Sequence, residues 1–117
     1  MADYRQISVT ETDGVTVVRF NDQRILDAGS IQQLGEDLFQ LVEVDERDKL
    51  LLNFVDVEFL SSAALNRLIM LDKKVKERNG ALKFCSICAG IMDVFTITRL
   101  DKHFEIMDDE STAVASF

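Results

Sequence analysis

The chain has 117 residues, 47% of them hydrophobic, with 21 acidic against 13 basic side chains and a formal net charge of −8. That length suits one domain built around a single core, and the apolar fraction is too high for disorder. So acidic a chain argues against unaided binding to nucleic acid or to an anionic membrane, since both need clustered Lys and Arg. No apolar run approaches the roughly 20 residues of a membrane span. The start, Met1-Ala2-Asp3-Tyr4-Arg5, lacks a signal-peptide core, so the expected location is the cytoplasm. Two cysteines and one histidine are too few for a disulfide scaffold or a closed structural zinc site.

Residues 7–12 alternate Ile7, Val9 and Glu11 against Ser8, Thr10 and Thr12, as a strand does. Asp13-Gly14 is a strong two-residue hairpin turn, and the β-branched run 15–20 returns as a second strand. Asn21-Asp22-Gln23 reads as a polar loop and Arg24-Ile25-Leu26 as a short strand. Ser30, with Gln33 three residues on, fits a capping box opening the first helix. Ile31, Leu34, Leu38, Leu41 and Val42 form its apolar stripe, weakened slightly by Gly35. Asp45-Glu46-Arg47-Asp48 is a charged loop.

Residues 50–55 are nearly continuous apolar, as expected of a central strand covered on both faces. A polar turn and two serines, Ser61 and Ser62, lead into an amphipathic run to Asn79, with Ala64, Leu68, Leu71 and Val75 inward. Arg67, Lys73, Lys74, Lys76 and Arg78 take the other faces, chiefly as a solvated surface. Asp72 falls between apolar positions, and nothing in the sequence explains it. Asn79-Gly80 ends this helix, with glycine expected in the left-handed conformation. Residues 81–87 read as a strand, 91–97 as a short helix, 104–107 as a last strand and 111–117 as a final helical turn or two. The order β-β-(β)-α-β-α-β-α-β-α predicts a single α/β domain over 1–117: a mixed four- to five-stranded sheet with parallel central strands and about four helices.

Cys85-Ser86-Ile87-Cys88 is a C-x-x-C, but Cys85 falls inside an apolar strand rather than at a helix N-terminus, where thiol pKa values drop. It reads as a small core residue, and a dithiol oxidoreductase is the lesser reading. His103 has no Ser or Cys near it in sequence and reads as a loop histidine. The carboxylates show no spacing that singles out an acid/base pair or a metal cage. A helix cap explains one serine of the 61–62 pair. The second is left at a helix N-terminus, where free N–H groups and the helix dipole stabilise an added phosphate.

The run from Asn53 through Phe59-Leu60-Ser61-Ser62-Ala63-Ala64-Leu65 resembles the central motif of the STAS-domain anti-sigma factor antagonist family. The likeness continues through the Asn79-Gly80 turn, Leu82-Lys83-Phe84-Cys85 and residues 94–104, and Leu26-Asp27 is similar to the family's Leu-Asp near the first helix. The family's motif is aromatic, apolar, Asp, the phosphorylated Ser, Ser or Thr, then Gly-Leu. Ser61 falls at the Asp, Ser62 at the phosphorylated serine, Ala63 at the Ser/Thr and Ala64 at the glycine. Losing the Asp removes a charge beside the acceptor, and alanine narrows backbone freedom after it. The resemblance implies a non-enzymatic, cofactor-free regulator of transcription that works by partner switching. It would bind an anti-sigma factor that is a serine kinase, be phosphorylated on Ser62 (alternatively Ser61) and released, and be reset by a PP2C-type phosphatase. The partner-binding set it implies is Asp27, Glu58, Ser61, Ser62, Ala63 and Arg67. The alternative is a STAS-type scaffold or ligand-sensing module that is never phosphorylated.

Overall fold

The computed structural model describes residues 7–21, 23–25 and 27–117. The expectations placed on Met1 to Arg5, on Asp22 in the polar loop and on Leu26, as a strand residue and as part of Leu-Asp, lie outside the described residues.

β1 (Ile7–Thr12) and β2 (Val15–Phe20) form the expected antiparallel hairpin, with Thr12 opposite Val15. Its turn holds Asp13 at φ 51° and Gly14 at φ 82°, the two positive φ values that a twist-matched two-residue turn requires. β3 is Arg24–Ile25, α1 is Ala28–Glu43, β4 is Lys49–Asn53, β5 is Phe59–Leu60 and α2 is Ser62–Glu77. β6 (Ala81–Cys85), α3 (Ala89–Ile97), β7 (Glu105–Met107) and α4 (Glu110–Ala115) complete the chain. The main sheet has the order β1-β2-β4-β6-β7 and is parallel from β2 onward, while β3 and β5 pair, also parallel, in a separate two-stranded sheet.

Strand alternation divides the core between two faces. Val18, Phe20, Leu50, Leu52, Leu82 and Phe84 point to the side covered by α1, α2 and α3. Val15, Val17, Leu51 and Cys85 point to the other side, where Ala113 of α4 packs on them. Lys83 belongs to this second face. Its ammonium donates to the Ser116 carbonyl at 2.7 Å and the Ser116 hydroxyl at 2.8 Å, pairs with Glu105 at 3.2 Å and lies 4.9 Å from the Phe117 ring centre. A buried cation is tolerable only with such partners.

Several boundaries differ from expectation, each for a local reason. The first helix opens at Ala28, capped by Asp27, not Ser30. The Asp27 carboxylate accepts the Ser30 N–H and the Ser30 hydroxyl, both at 2.8 Å. β4 stops at Asn53 because the Asn53 amide oxygen accepts the Val55 N–H at 2.9 Å, which turns the chain out and leaves Val55 54% exposed. β6 stops at Cys85, since Ser86 takes φ 60°. The last strand begins at Glu105, one residue later than expected, and α3 begins two residues earlier. α4 begins with Glu110 because Asp109 caps it, accepting the Thr112 N–H at 2.7 Å. At the end of α2 the left-handed residue is Asn79, φ 60°, not Gly80. Gly80 instead permits close approach, since a Cβ there would lie 2.6 Å from the Asp48 carbonyl oxygen. β5 has no counterpart in the sequence reading.

Candidate functional site

The β3–β5 ladder positions the site. Ile25 faces Leu60; α1 has its N-cap, Asp27, two residues beyond Ile25, and α2 has its N-cap, Ser61, one residue beyond Leu60, so the two helices start one residue out of step from the same ladder. The ladder is reinforced by the Ser61 N–H donating to the Ile25 carbonyl at 3.1 Å and the Glu58 N–H donating to the Gln23 carbonyl at 2.7 Å. Both helix N-termini thus present their free N–H groups at one end of the same layer.

The two serines have different duties. Ser61 is the N-cap, in extended conformation, and its hydroxyl oxygen accepts the Ala64 N–H at 3.2 Å. Ser62 is the first helical residue and is exposed, so its hydroxyl is open to a partner or a modifying enzyme. Ala63 is also exposed, whereas Ala64 is fully buried under the helix start. A phosphate on Ser62 would meet the N–H groups of the first turn and the positive end of a 16-residue helix.

Of the other residues expected here, Asp27 and Glu58 are exposed and are brought to the same end by the small sheet, and Asp56 is exposed in the preceding turn. Arg67 lies a turn further along α2, half-buried against α1, where its side chain crosses Gly35. The sequence reading missed a shallow apolar groove of about 110 Å³ beside Ser62, lined by Glu58, Phe59, Leu60, Gly90, Ile91 and Val94. Phe59 is 54% exposed at its edge. Its only sequence signal is an aromatic residue just before the serines.

The Asp27 carboxyl is held below the ordinary carboxylate range, first by the Ser30 backbone N–H and then by the Ser30 side chain. A lowered folded-state value means the ionised cap supports α1 fully above the unfolded carboxyl range, and the support is lost as pH falls through the folded value. Acid titration of stability should therefore lose part of its slope below pH ~4 in Asp27→Asn, which keeps an acceptor without the charge. A slope identical to wild type, followed by urea unfolding at stepped pH, would remove Asp27 as the source.

Two residues without an assigned role acquire one. Asp72, 4% exposed, lies 2.9 Å from His103 Nε2 and 3.0 Å from Lys76 Nζ, so the loop histidine and the unexplained carboxylate bring α2 against the loop before β7. Cys85 is buried, and burial pushes its thiol up, away from the thiolate a redox enzyme needs; Cys88 is exposed at the N-cap of α3. Among the described residues no group of His, Cys, Asp and Glu could hold a metal ion. Among them also, no helix is long and apolar enough to cross a membrane.

Paired helix starts, an exposed first-turn serine and an apolar groove lined by Phe59 and Leu60 are thus arranged around the β3–β5 ladder. The family of STAS domains matches residues 6–113, and the chain belongs to that family. It is similar to BtrV of Bordetella bronchiseptica, provisionally named an anti-sigma factor antagonist, with 22% identity over 96% of this chain and 94% of that one. Among solved structures it is similar to an anti-sigma-factor antagonist (STAS) domain protein from Planctomyces limnophilus, with TM-score 0.82 and 25% identity, covering 94% of this chain and 95% of that one. The phosphorylated form of the Bacillus cell fate determinant SpoIIAA shares the fold, with TM-score 0.72 at 14% identity, covering 94% and 96%.

Proposed function

We propose that this protein is an anti-sigma factor antagonist, a cytoplasmic binding module switched by phosphorylation of Ser62. In the unmodified form the end of the molecule around Asp27, Glu58, Ser61, Ser62, Ala63 and Arg67 docks on an anti-sigma factor that is itself a serine kinase. ATP sits on that kinase; its γ-phosphoryl group passes to the Ser62 oxygen as the bond to the β-phosphate breaks, ADP leaves on the kinase, and the hydroxyl proton goes to a base there. The phosphate then meets desolvation within the contact and repulsion from the Asp27 and Glu58 side of the rim, and the complex separates. A PP2C-type phosphatase restores the hydroxyl.

The observation that carries this reading is the division of labour between the serines. Ser61 spends its oxygen on the Ala64 N–H, and Ser62 is exposed with no capping duty. Modifying Ser61 would disturb the cap itself, which favours Ser62. The names of the relatives, one of them a phosphorylated form, support the same reading. Intact-mass analysis of protein from its native cells should show a fraction carrying one phosphate, absent in Ser62→Ala. Retention of the adduct in Ser62→Ala would move the acceptor to Ser61. An adduct absent under every growth condition would favour the unphosphorylated scaffold.

A further inference from the structure

Gly35 stands in the middle of α1 and is buried, where alanine would make a better helix. A Cβ at that position would lie 3.1 Å from Arg67 Cδ, 3.4 Å from Nε and 3.7 Å from Cγ. The Arg67 stem therefore lies flat across the bare backbone of α1, in the seam between the two helices whose starts form the docking end. Among the described residues Arg67 forms no ion pair and no side-chain hydrogen bond, whereas Lys74 and Lys76 on the same helix pair with Glu43 and Asp72. An arginine held by its stem with its planar fork unused is prepared for a two-point contact with an oxyanion.

We propose that Gly35 is a positioning residue: by lacking a side chain it seats the Arg67 stem and fixes the guanidinium to receive a carboxylate of the bound partner. This rests on the partner-switching reading above. The phosphate of Ser62 itself is a poor occupant. Five residues along a helix lie about 140° apart around the axis, whereas facing pairs are three or four apart.

The test uses Gly35→Ala, Arg67→Ala and the double variant in the full chain, with the purified kinase that phosphorylates Ser62 as the probe. Gly35→Ala should hold or raise the urea midpoint, shift the Arg67 Nε–H resonance and weaken kinase binding at least fivefold. Arg67→Ala should weaken binding as much, and the double variant should bind no more weakly than Arg67→Ala. Gly35→Ala that binds like wild type, or losses that multiply in the double variant, would overturn the positioning role. The resonance decides the seating without any partner: a wild-type Arg67 Nε–H averaged like those of Arg24 and Arg99 would overturn it too. Failure of partner switching shows separately, as a Ser62 that is never phosphorylated. If Gly35→Ala proves unstable, Arg67→Lys replaces it, retaining the charge and losing the fork, with partial loss of binding expected and undiminished binding overturning the proposal.

Discussion

Phe84→Ala should lower unfolding stability by about 3–5 kcal/mol, the range for deleting a large buried aromatic side chain. Phe84 is fully buried on β6 and is the hub of an aromatic cluster. Its ring centre lies 4.4 Å from that of Phe104, 5.3 Å from Phe54 and 6.0 Å from Phe95, and Phe54 in turn lies 4.7 Å from Phe20. These rings join β2, the end of β4, β6, α3 and the loop before β7, so no single element can relax to fill the cavity. Domains of this size hold about 5–15 kcal/mol in total, so the variant loses a large share of its margin. Urea unfolding followed by far-ultraviolet circular dichroism suits a chain without tryptophan. A loss below about 1.5 kcal/mol, the scale of a volume-conserving swap, would mean that the cluster repacks freely.

Ser62→Asp should weaken kinase binding by tenfold or more, about 1.4 kcal/mol, while leaving the fold at least as stable as wild type. The two effects separate because the same charge meets two environments. Towards its own helix, a carboxylate in the first turn faces free N–H groups and the positive dipole end, a favourable placement of about 0.3–1 kcal/mol. In the proposed complex, it would have to shed water inside a contact bordered by Asp27 and Glu58. The carboxylate carries less charge than a phosphate, so the substitution sets a lower bound on the effect of modification. Calorimetric titration against the kinase, paired with urea unfolding, reads both. Wild-type affinity in Ser62→Asp, or a fall in stability equal to the fall in binding, would defeat the switching mechanism.

The periodic parts of the fold are legible from residue spacing. The alternation of residues 7–12, the Asp13-Gly14 turn, the Leu50-Leu51-Leu52 run and the stripe of Ala64, Leu68, Leu71 and Val75 all mark elements that the structure contains. What escapes such reading depends on geometry rather than period. β3 is legible as a short strand, but β5 is only two residues long, too short to carry a pattern, and their pairing joins positions 35 residues apart. Asp27 displaces Ser30 as cap because both are good capping residues and only the chain path decides where the helix opens; here the Asp27 carboxylate takes the Ser30 N–H. Asp72 looks misplaced until His103, far along the chain, is seen to meet it. At the site, the serine pair is visible in sequence, but which serine caps and which stands free is a matter of φ, ψ and one 3.2 Å hydrogen bond. Gly35 reads as a mild helix defect until Arg67 is placed across it.

The two-stranded β3–β5 ribbon stands apart from the five-stranded sheet. Within residues 23–25 and 55–59, Ile25 and Val57 are held in the same core as Leu50, Leu52 and Phe84, while the exposed Gln23, Arg24, Val55, Asp56, Glu58 and Phe59 form a mounting that can drift over generations without disturbing it. A duplicated copy of such a chain could acquire a new binding partner by rewriting these exposed positions alone, so parallel signalling lines could diverge from one scaffold without cross-talk.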